Sequence, residues 1–381
     1  MRATVDFPTP ISHLMRLRPD EAVMYMAPDV VAAQARRFID GFDGLVTFAV
    51  KANPRPEVLE ALVRAGVRAF DVASVAEMHM VRAACPAAVL HYNNPVRSLE
   101  EVALAAQMGV VSASVDDAHE LEKLRPLLAA SGGLTEVSVR LKLPVKGAVY
   151  DFGSKFGVGP DDAVALLRRV ADMGFTPAMT FHPGTQCEEG AAWGAYIRAC
   201  ADVARRAGVT LARLNVGGGF PAQRVGDAPD LGALFALIRA EVDGAFGANP
   251  PALVCEPGRA LVAEAFSLAA RIKAFRADGS VFLNDGIYGG LAEWRDMPGM
   301  DRVQVIGPDG ALRGGAMQGR VAYGPTCDSL DRLPDPLPLP RDAAEGDWVL
   351  FHGMGAYSLA LATRFNGYGP EVPVVVAGLA T

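Results

Sequence analysis

The amino-acid sequence predicts an α/β plus β chain, a closed parallel (β/α)8 barrel followed by a mostly β domain. Three observations carry this. Short β-rich runs alternate with Ala- and Leu-rich amphipathic stretches from about residue 44 to 256, and there are eight such runs. Beyond about residue 264 the rhythm changes to short β-like pieces punctuated by Gly, Pro and Asp. Strand, helix and strand repeated eight times is the pattern of a parallel barrel.

The candidate barrel strands are LVTFAV (45–50), RAFDV (68–72), AVLHY (88–92), VSASV (111–115), EVSVRLKL (136–143), PAMTFH (177–182), LARLNV (211–216) and ALVCE (252–256). Between them PEVLEALVRAG (56–66), SVAEMHMVRAA (74–84), DDAVALLRRVADMG (161–174) and AAWGAYIRACADVARRAG (191–208) place apolar residues at three- and four-residue steps, the helical period. Ser74 before Glu77 reads as a capping box, and Gly66, Gly174 and Gly208 stand where helices stop. The later pieces SLAARIKAF, SVFLND, GRVAYG, DWVLFH and VPVVVAG read as strands, with a Pro-rich connection over 332–346. The early run AVMYM (22–26) is expected to join that sheet. The expected division is a barrel over 27–262 and a β-sheet domain made of 1–26 together with 263–381.

Composition narrows the class of function. The chain has 381 residues, 51% of them hydrophobic and 21% charged, which is enough to bury a core without staples. No run approaches the roughly 20 apolar residues of a membrane span, and the start has no basic stretch leading into an apolar one. A cytoplasmic protein is expected. The net charge of −7, with no basic stripe, argues against nucleic acid and anionic membranes as partners. Cys85, Cys187, Cys200, Cys255 and Cys327 are scattered and form no CxxC pair, so free thiols are expected and no metal site. Of 36 basic residues only six are lysines, Lys51, Lys123, Lys142, Lys146, Lys155 and Lys273, and each merits a reason.

Barrel chemistry is built at the C-terminal ends of the strands, where this sequence sets its reactive residues. Lys51 follows the first strand, Asp71 closes the second, Arg140 lies in the fifth, His182 ends the sixth, Gly217, Gly218 and Gly219 follow the seventh, and Glu256 ends the eighth. Lys51, behind TFAV, is either an ordinary rim lysine or an amine desolvated enough to form an imine. The three glycines are either a turn or a backbone cradle for a phosphate. Glu256 and Arg259 could be a structural salt bridge, and His182 a satisfied core histidine. Cys327, flanked by Asp328 and Asp331, could be a small buried hydrophobe, although two acids and a Gly-Pro turn argue against simple burial.

Taken together, AVKANP (49–54), FDVAS (70–74), NVGGGFP (215–221), CEPGR (255–259), NDGIYGG (284–290), GPTCDSLD (324–331), and GAY with FNGY resemble the fold-type III pyridoxal-phosphate decarboxylases of ornithine and diaminopimelate, whose barrel is alanine-racemase-like. The resemblance covers about residues 22 to 370. It implies pyridoxal 5'-phosphate as cofactor, linked to Lys51. Glu256 would meet the pyridine nitrogen, His182 would stack on the ring, and Gly217, Gly218, Gly219, Gly258, Arg259, Tyr357 and Thr185 would serve the phosphate. Asp71, Glu77 and Arg140 would order Lys51 and the cofactor.

The resemblance further implies that Cys327 protonates the carbon left by CO2 and that Asp328 binds the distal ammonium of the substrate. Both would act in a neighbouring subunit, giving a homodimer with shared active sites, with Lys155 pairing to Asp331 across it. Asp after Cys327 favours the ornithine branch over the diaminopimelate branch. Tyr323 and Phe365 are expected to line the substrate pocket, with Glu293, then Asp296, as a second acid for the ammonium. Arg364 before FNGY could instead meet a carboxylate.

The implied reaction is L-ornithine to putrescine and CO2. The alternatives are a decarboxylase of lysine, diaminopimelate or a carboxylated polyamine or siderophore precursor. A non-catalytic homologue should have lost Lys51, Glu256 or Cys327, and a racemase would need another tyrosine arrangement and no CDSLD.

Overall fold

The fold is taken from a computed structural model that describes residues 5–130, 135–145, 153–297 and 301–380. Lys146 and residues 298–300 of the run 291–301 lie outside the described residues. The chain divides into two compact units, one comprising Ala35–Pro221 with Pro229–Gly258, the other Met1–Gln34, Ala222–Ala228 and Arg259–Thr381.

Strand β1 is Val23–Met26 and belongs to the second unit. The eight strands that follow are β2 (Leu45–Ala49), β3 (Ala69–Val72), β4 (Val89–Tyr92), β5 (Ser112–Val115), β6 (Glu136–Leu141), β7 (Thr176–Phe181), β8 (Arg213–Asn215) and β9 (Ala252–Cys255). They pair in parallel in that order and close, β2 against β9, into the barrel that the strand and helix period implies. Parallel strands covered on both faces must be apolar along their length. β3 and β5 are buried at every position.

Local chemistry sets the helix ends. Ser74 caps Val75–Ala84 by accepting from the Glu77 N–H, while Glu77 Oε2 accepts from Ala73 N–H at 2.7 Å, one residue before the cap. Gly66 and Gly208 end their helices in the left-handed region, as expected of helix-stop glycines.

In the second unit the strands are β10 (Phe266–Phe275), β11 (Val281–Leu283), β12 (Val303–Ile306), β13 (Met317–Arg320), β14 (Ala322–Tyr323), β15 (Leu337–Pro340), β16 (Trp348–His352) and β17 (Val374–Val375). β12, β16, β10, β1 and β17 lie side by side, with β11 and β14 joined through β10. β1 pairs antiparallel to β10, so the early run does join this sheet. Its core gathers Leu14, Tyr25, Ala269, Ile306, Trp348 and Leu350. The Pro-rich stretch 332–346 is more than a connection, because its LPLP segment is β15, paired with β13 alone. A strand with one partner can accommodate prolines on the side that needs no N–H donor.

An aromatic cluster anchors the loop after β8. Phe220 is 2% exposed and packs against Phe38, Trp193 and Phe235 at ring separations of 5.3, 5.4 and 5.9 Å. Replacing Phe220 with Ala should destabilise the protein by about 3–5 kcal/mol in urea unfolding. A loss under about 1 kcal/mol would show that this cluster does not hold the loop.

Candidate active site

The C-terminal strand ends bring most of the barrel residues to one rim. β2 stops at Ala49, and a single 3-10 turn, Val50–Ala52, is closed by the Asn53 N–H donating to the Val50 carbonyl at 3.0 Å. Lys51 sits on this turn with its side chain 48% exposed and Nζ 3.9 Å from Asp71 Oδ2. It is therefore more open than an apolar enclosure behind TFAV would make it. Asp71 itself is buried in β3, and burial pushes its carboxyl upward while Lys51 opposes the shift. Burial likewise raises the Glu77 carboxyl, against the hydrogen bond from Ala73.

Glu256 follows β9 and is buried. The amides of Asn93 and Asn215 both donate to its Oε1, Asn93 at 2.6 Å, and Oε2 takes no hydrogen bond from the described residues. Burial first, then the nearby charge of Asp71, pushes the Glu256 carboxyl up to about 7. Lys51 and Arg140 act in the opposite direction, yet no ammonium or guanidinium among the described residues lies within ion-pairing distance. The salt bridge imagined between Glu256 and Arg259 is not formed, since each has other partners.

Asn215 also accepts the Gly217 N–H at 2.9 Å, and so begins the glycine loop. Gly217 and Gly219 have φ of 71° and 84°, and a Cβ on them would fall 2.1 Å from the Phe181 carbonyl oxygen and 2.2 Å from that of Gly184. Only glycine fits there. A Cβ on Gly218 would meet His182 Nε2 at 3.0 Å and the Glu256 carbonyl at 2.9 Å. The Gly217 and Gly219 carbonyls accept from Glu256 and Cys187 N–H groups, while the Gly218 and Gly219 N–H groups have no partner among the described residues. Neighbouring free amides of this kind suit an anion.

His182 follows β7, and burial, then Lys51 and Arg140, hold it well below the ordinary histidine range, so the ring is neutral. Its Nδ1 accepts the Gly184 N–H at 3.1 Å, which puts the ring proton on Nε2. Arg140 in β6 carries its guanidinium 5.3 Å from the Phe156 ring centre. Thr185 is buried beside Gln186, whose φ of 50° is unusual for a side-chain-bearing residue. A Cβ on Gly258 would lie 2.9 Å from that of Ala52, so Gly258 packs under the lysine turn.

In the second unit two further groups form. Arg259 pairs with Glu293 and lies 5.2 Å from the Tyr357 ring centre, Tyr357 having a φ of 56°. Elsewhere the Tyr288 hydroxyl donates to Asp328 Oδ2 at 2.5 Å, the Phe365 ring lies 5.2 Å from that of Tyr288, and the Cys327 N–H donates to Asn366 Oδ1 at 3.1 Å. Cys327 is exposed. Hydrogen bonds from the Leu330 N–H and then the Tyr288 hydroxyl hold the Asp328 carboxyl below the usual carboxylate range.

One expectation needs correction, and other predicted site residues have partners of their own. Glu293 is not an open acid awaiting an ammonium, because Arg259 and Arg224 both pair with it in a buried cluster. Asp296, second choice for that role, pairs with Arg295. Tyr323 stacks on Phe282 at 5.0 Å across β14 and β11, and Tyr288 is the tyrosine that meets Asp328. Arg364 pairs with Glu371 on the surface. Asp331 is 1% exposed and accepts from the Ile287 N–H, the Thr326 N–H and the Thr326 hydroxyl. Lys155 lies 4.9 Å from the Phe156 ring centre. Asn93 and Asn215, which sequence reasoning did not assign, stand at strand ends and were open to the same rim rule.

Comparison with known proteins places this geometry in context. Residues 29–263 match the family described as pyridoxal-dependent decarboxylase, pyridoxal binding domain. A lysine/ornithine decarboxylase of Selenomonas ruminantium is 31% identical over 335 residues, 85% of this chain and 81% of that protein. An ornithine decarboxylase of Panagrellus redivivus is 30% identical, over 84% of this chain and 77% of that protein. The lysine/ornithine decarboxylase of Vibrio vulnificus complexed with cadaverine superposes with a TM-score of 0.81 at 25% identity, over 96% of this chain and 94% of that one. The arginine decarboxylase of Paramecium bursaria Chlorella virus shares the fold, with a TM-score of 0.82 at 23% identity over 93% of this chain and 96% of that one.

A carboxyl whose folded pKa is raised binds its proton more tightly in the folded chain. Stability of the cofactor-free protein should therefore fall as pH rises from about 4.5 to about 7 because of Glu256. Glu256→Gln should flatten that part of the profile in thermal melts. A slope unchanged in the variant would rule out Glu256 as its source.

Proposed function

The chain belongs to the pyridoxal-dependent decarboxylases, and from that premise we propose that it removes the α-carboxyl of a basic L-amino acid, with L-ornithine, giving putrescine and CO2, the first choice. The observation that carries the substrate reading is Asp328. Its carboxylate is half-buried, kept ionised by the Leu330 N–H and the Tyr288 hydroxyl, and flanked by the aromatic ring of Phe365 through Tyr288. An ionised acid beside aromatic surface suits an alkyl chain that ends in an ammonium. Arg364, the residue that would have favoured a second carboxylate, is paired with Glu371. Lysine is the second reading, supported by the Selenomonas relative named for both amino acids.

The donor set fits pyridoxal 5'-phosphate. Lys51 offers an accessible amine, Glu256 a buried carboxyl with one oxygen that takes no hydrogen bond from the described residues, and the glycine loop two amides without a partner among them. When bound, the cofactor supplies an electron sink for the pair left by departing CO2. Lys51 would hold it through Nζ, and the neutral face of His182 would lie against its ring. Glu256, ionised once a cationic N–H meets it, would keep the ring nitrogen protonated. Gly217, Gly218, Gly219 and Thr185 would take the phosphate, and we assign Arg259 and Tyr357 the same task. Asp71, Glu77 and Arg140 would orient Lys51 and balance charge behind it. Cys327 would deliver the Sγ proton to the carbon that has lost CO2.

The exposed Cys327, with the half-buried Asp328 beside it, supports a homodimer in which each chain lends these two residues to its partner. Five thiols with no disulfide among them support a reducing, cytoplasmic setting.

CO2 release should be measured with L-ornithine, L-lysine, L-arginine and meso-diaminopimelate offered separately. Ornithine or lysine should be preferred, and turnover of diaminopimelate alone would overturn the reading. Asp328→Ala should raise KM for the preferred diamino acid about ten- to a hundredfold, with cofactor binding unchanged. Lys51→Ala should lose both turnover and the visible band of the linked cofactor. Mixing Lys51→Ala protein with Cys327→Ala protein, each of which should form little amine product alone, should restore part of the amine formation, and a mixture that forms no more amine than its components would remove the shared-site dimer.

A further inference from the structure

Two buried arginines and one buried glutamate meet in the second unit, and their charges do not cancel. Arg224, Arg259 and Glu293 are 7%, 5% and 3% exposed. Arg224 Nη1 donates to Glu293 Oε2 at 3.1 Å, and Arg259 Nη1 pairs with Glu293 Oε1. Among the described residues the remaining contacts are neutral. Arg224 Nη2 donates to the Met297 carbonyl, Arg259 Nη2 lies 3.0 Å from Met297 Sδ, and Arg259 Nε is buried without a hydrogen-bond partner. One positive charge and one guanidinium N–H are thus left over away from water. Excess buried charge is expensive unless something of opposite sign meets it.

Arg224 is held where it is from both sides in sequence. The segment Ala222–Ala228 departs from the barrel sequence to join the second unit. Within it the Gln223 carbonyl accepts from Arg302 Nη1 at 3.1 Å, and the Gly226 N–H donates to Asp301 Oδ2 at 3.2 Å. The placement of Arg224 is therefore built into the fold.

We propose that Arg224 is a positioning residue for the cofactor phosphate: by sharing Glu293, it prevents that carboxylate from neutralising Arg259, and the three side chains act as a unit of net charge +1 toward the anion. The proposal rests on Arg259 as a phosphate ligand. Without Arg224, Glu293 would face Arg259 alone, and the pair would be neutral. Without Glu293, Arg224 would no longer be needed.

The test compares dissociation constants of the apoenzyme for pyridoxal 5'-phosphate and for pyridoxal, which lacks the phosphate, by spectroscopic titration. Arg224→Met should weaken binding of the phosphorylated form about tenfold or more and leave pyridoxal within about twofold. The double variant Arg224→Met with Glu293→Gln should recover to within about threefold of the parent, because Arg259 again carries an unshared charge. Equal losses for both ligands, no loss for either, or a double variant no better than the single would each overturn the proposal. Should Arg224→Met fail to fold, Glu293→Gln alone decides, since it should raise the preference for the phosphorylated form and a lowered preference would count against the proposal. Arg259→Met is the control for the underlying reading. If it leaves the preference unchanged, Arg259 is not a phosphate ligand; if it abolishes the preference while Arg224→Met does not, only the role of Arg224 fails.

Discussion

The barrel rim depends on a buried carboxylate that is kept without a charged partner. Taking a carboxylate out of water costs several kcal/mol unless it is paired or well hydrogen-bonded. Among the described residues Glu256 is held by two side-chain amides, both on the same oxygen. One amide comes from Asn93 just past β4 and the other from Asn215 at the end of β8, while Glu256 itself follows β9. A single acid thus ties three strand ends together. Asn215 has a second task, because its own oxygen takes the Gly217 N–H and turns the chain into the glycine loop. The same side chain thus sets both the acid, which meets no cation among the described residues, and the glycine loop, whose next two amides have no partner among them. That polarity matches a cofactor with a protonatable nitrogen at one end and a phosphate at the other.

The charges around Glu256 are arranged to keep it titratable. Asp71 raises it and Lys51 and Arg140 lower it, while burial outweighs each of them. A stronger tie to Arg140 would leave the acid fully ionised before any ring nitrogen arrived, and no such tie is formed. The Arg140 guanidinium lies against Phe156 instead. His182 completes the arrangement by remaining neutral, since burial first, then the charges of Lys51 and Arg140, oppose a further positive charge.

What was legible in the sequence follows from how local each signal is. The eight strands could be read because parallel barrel strands are short apolar runs, and their reactive residues could be ordered because each stands within a residue or two of a strand end. Gly217 and Gly219 could be suspected, since no other residue adopts those backbone angles over those carbonyls without collision. Pairings between distant residues could not be read. Glu293 looked like an open acid, yet it meets Arg224 across 69 positions. Tyr323 and Tyr288 lie near similar motifs, and only the pairing of β11 with β14 sends Tyr323 to Phe282. The LPLP segment carried no strand signal, because proline hides it until β13 is seen beside it.

The same distinction explains how an exposed thiol and a half-buried carboxylate can be held in place. The loop GPTCDSLD has little apolar surface to bury, so its order must come from polar satisfaction. Asp331 supplies it, nearly fully buried, with donors drawn from its own loop at Thr326 and from NDGIYGG at Ile287. The second motif carries Tyr288, which reaches back to Asp328, while the FNGY segment provides Asn366 to the Cys327 N–H. Three segments distant in sequence therefore meet through buried and half-buried hydrogen bonds, and Cys327 stays exposed with Asp328 half-buried beside it. A loop held by an inward carboxylate can keep its outward groups in place without becoming slack.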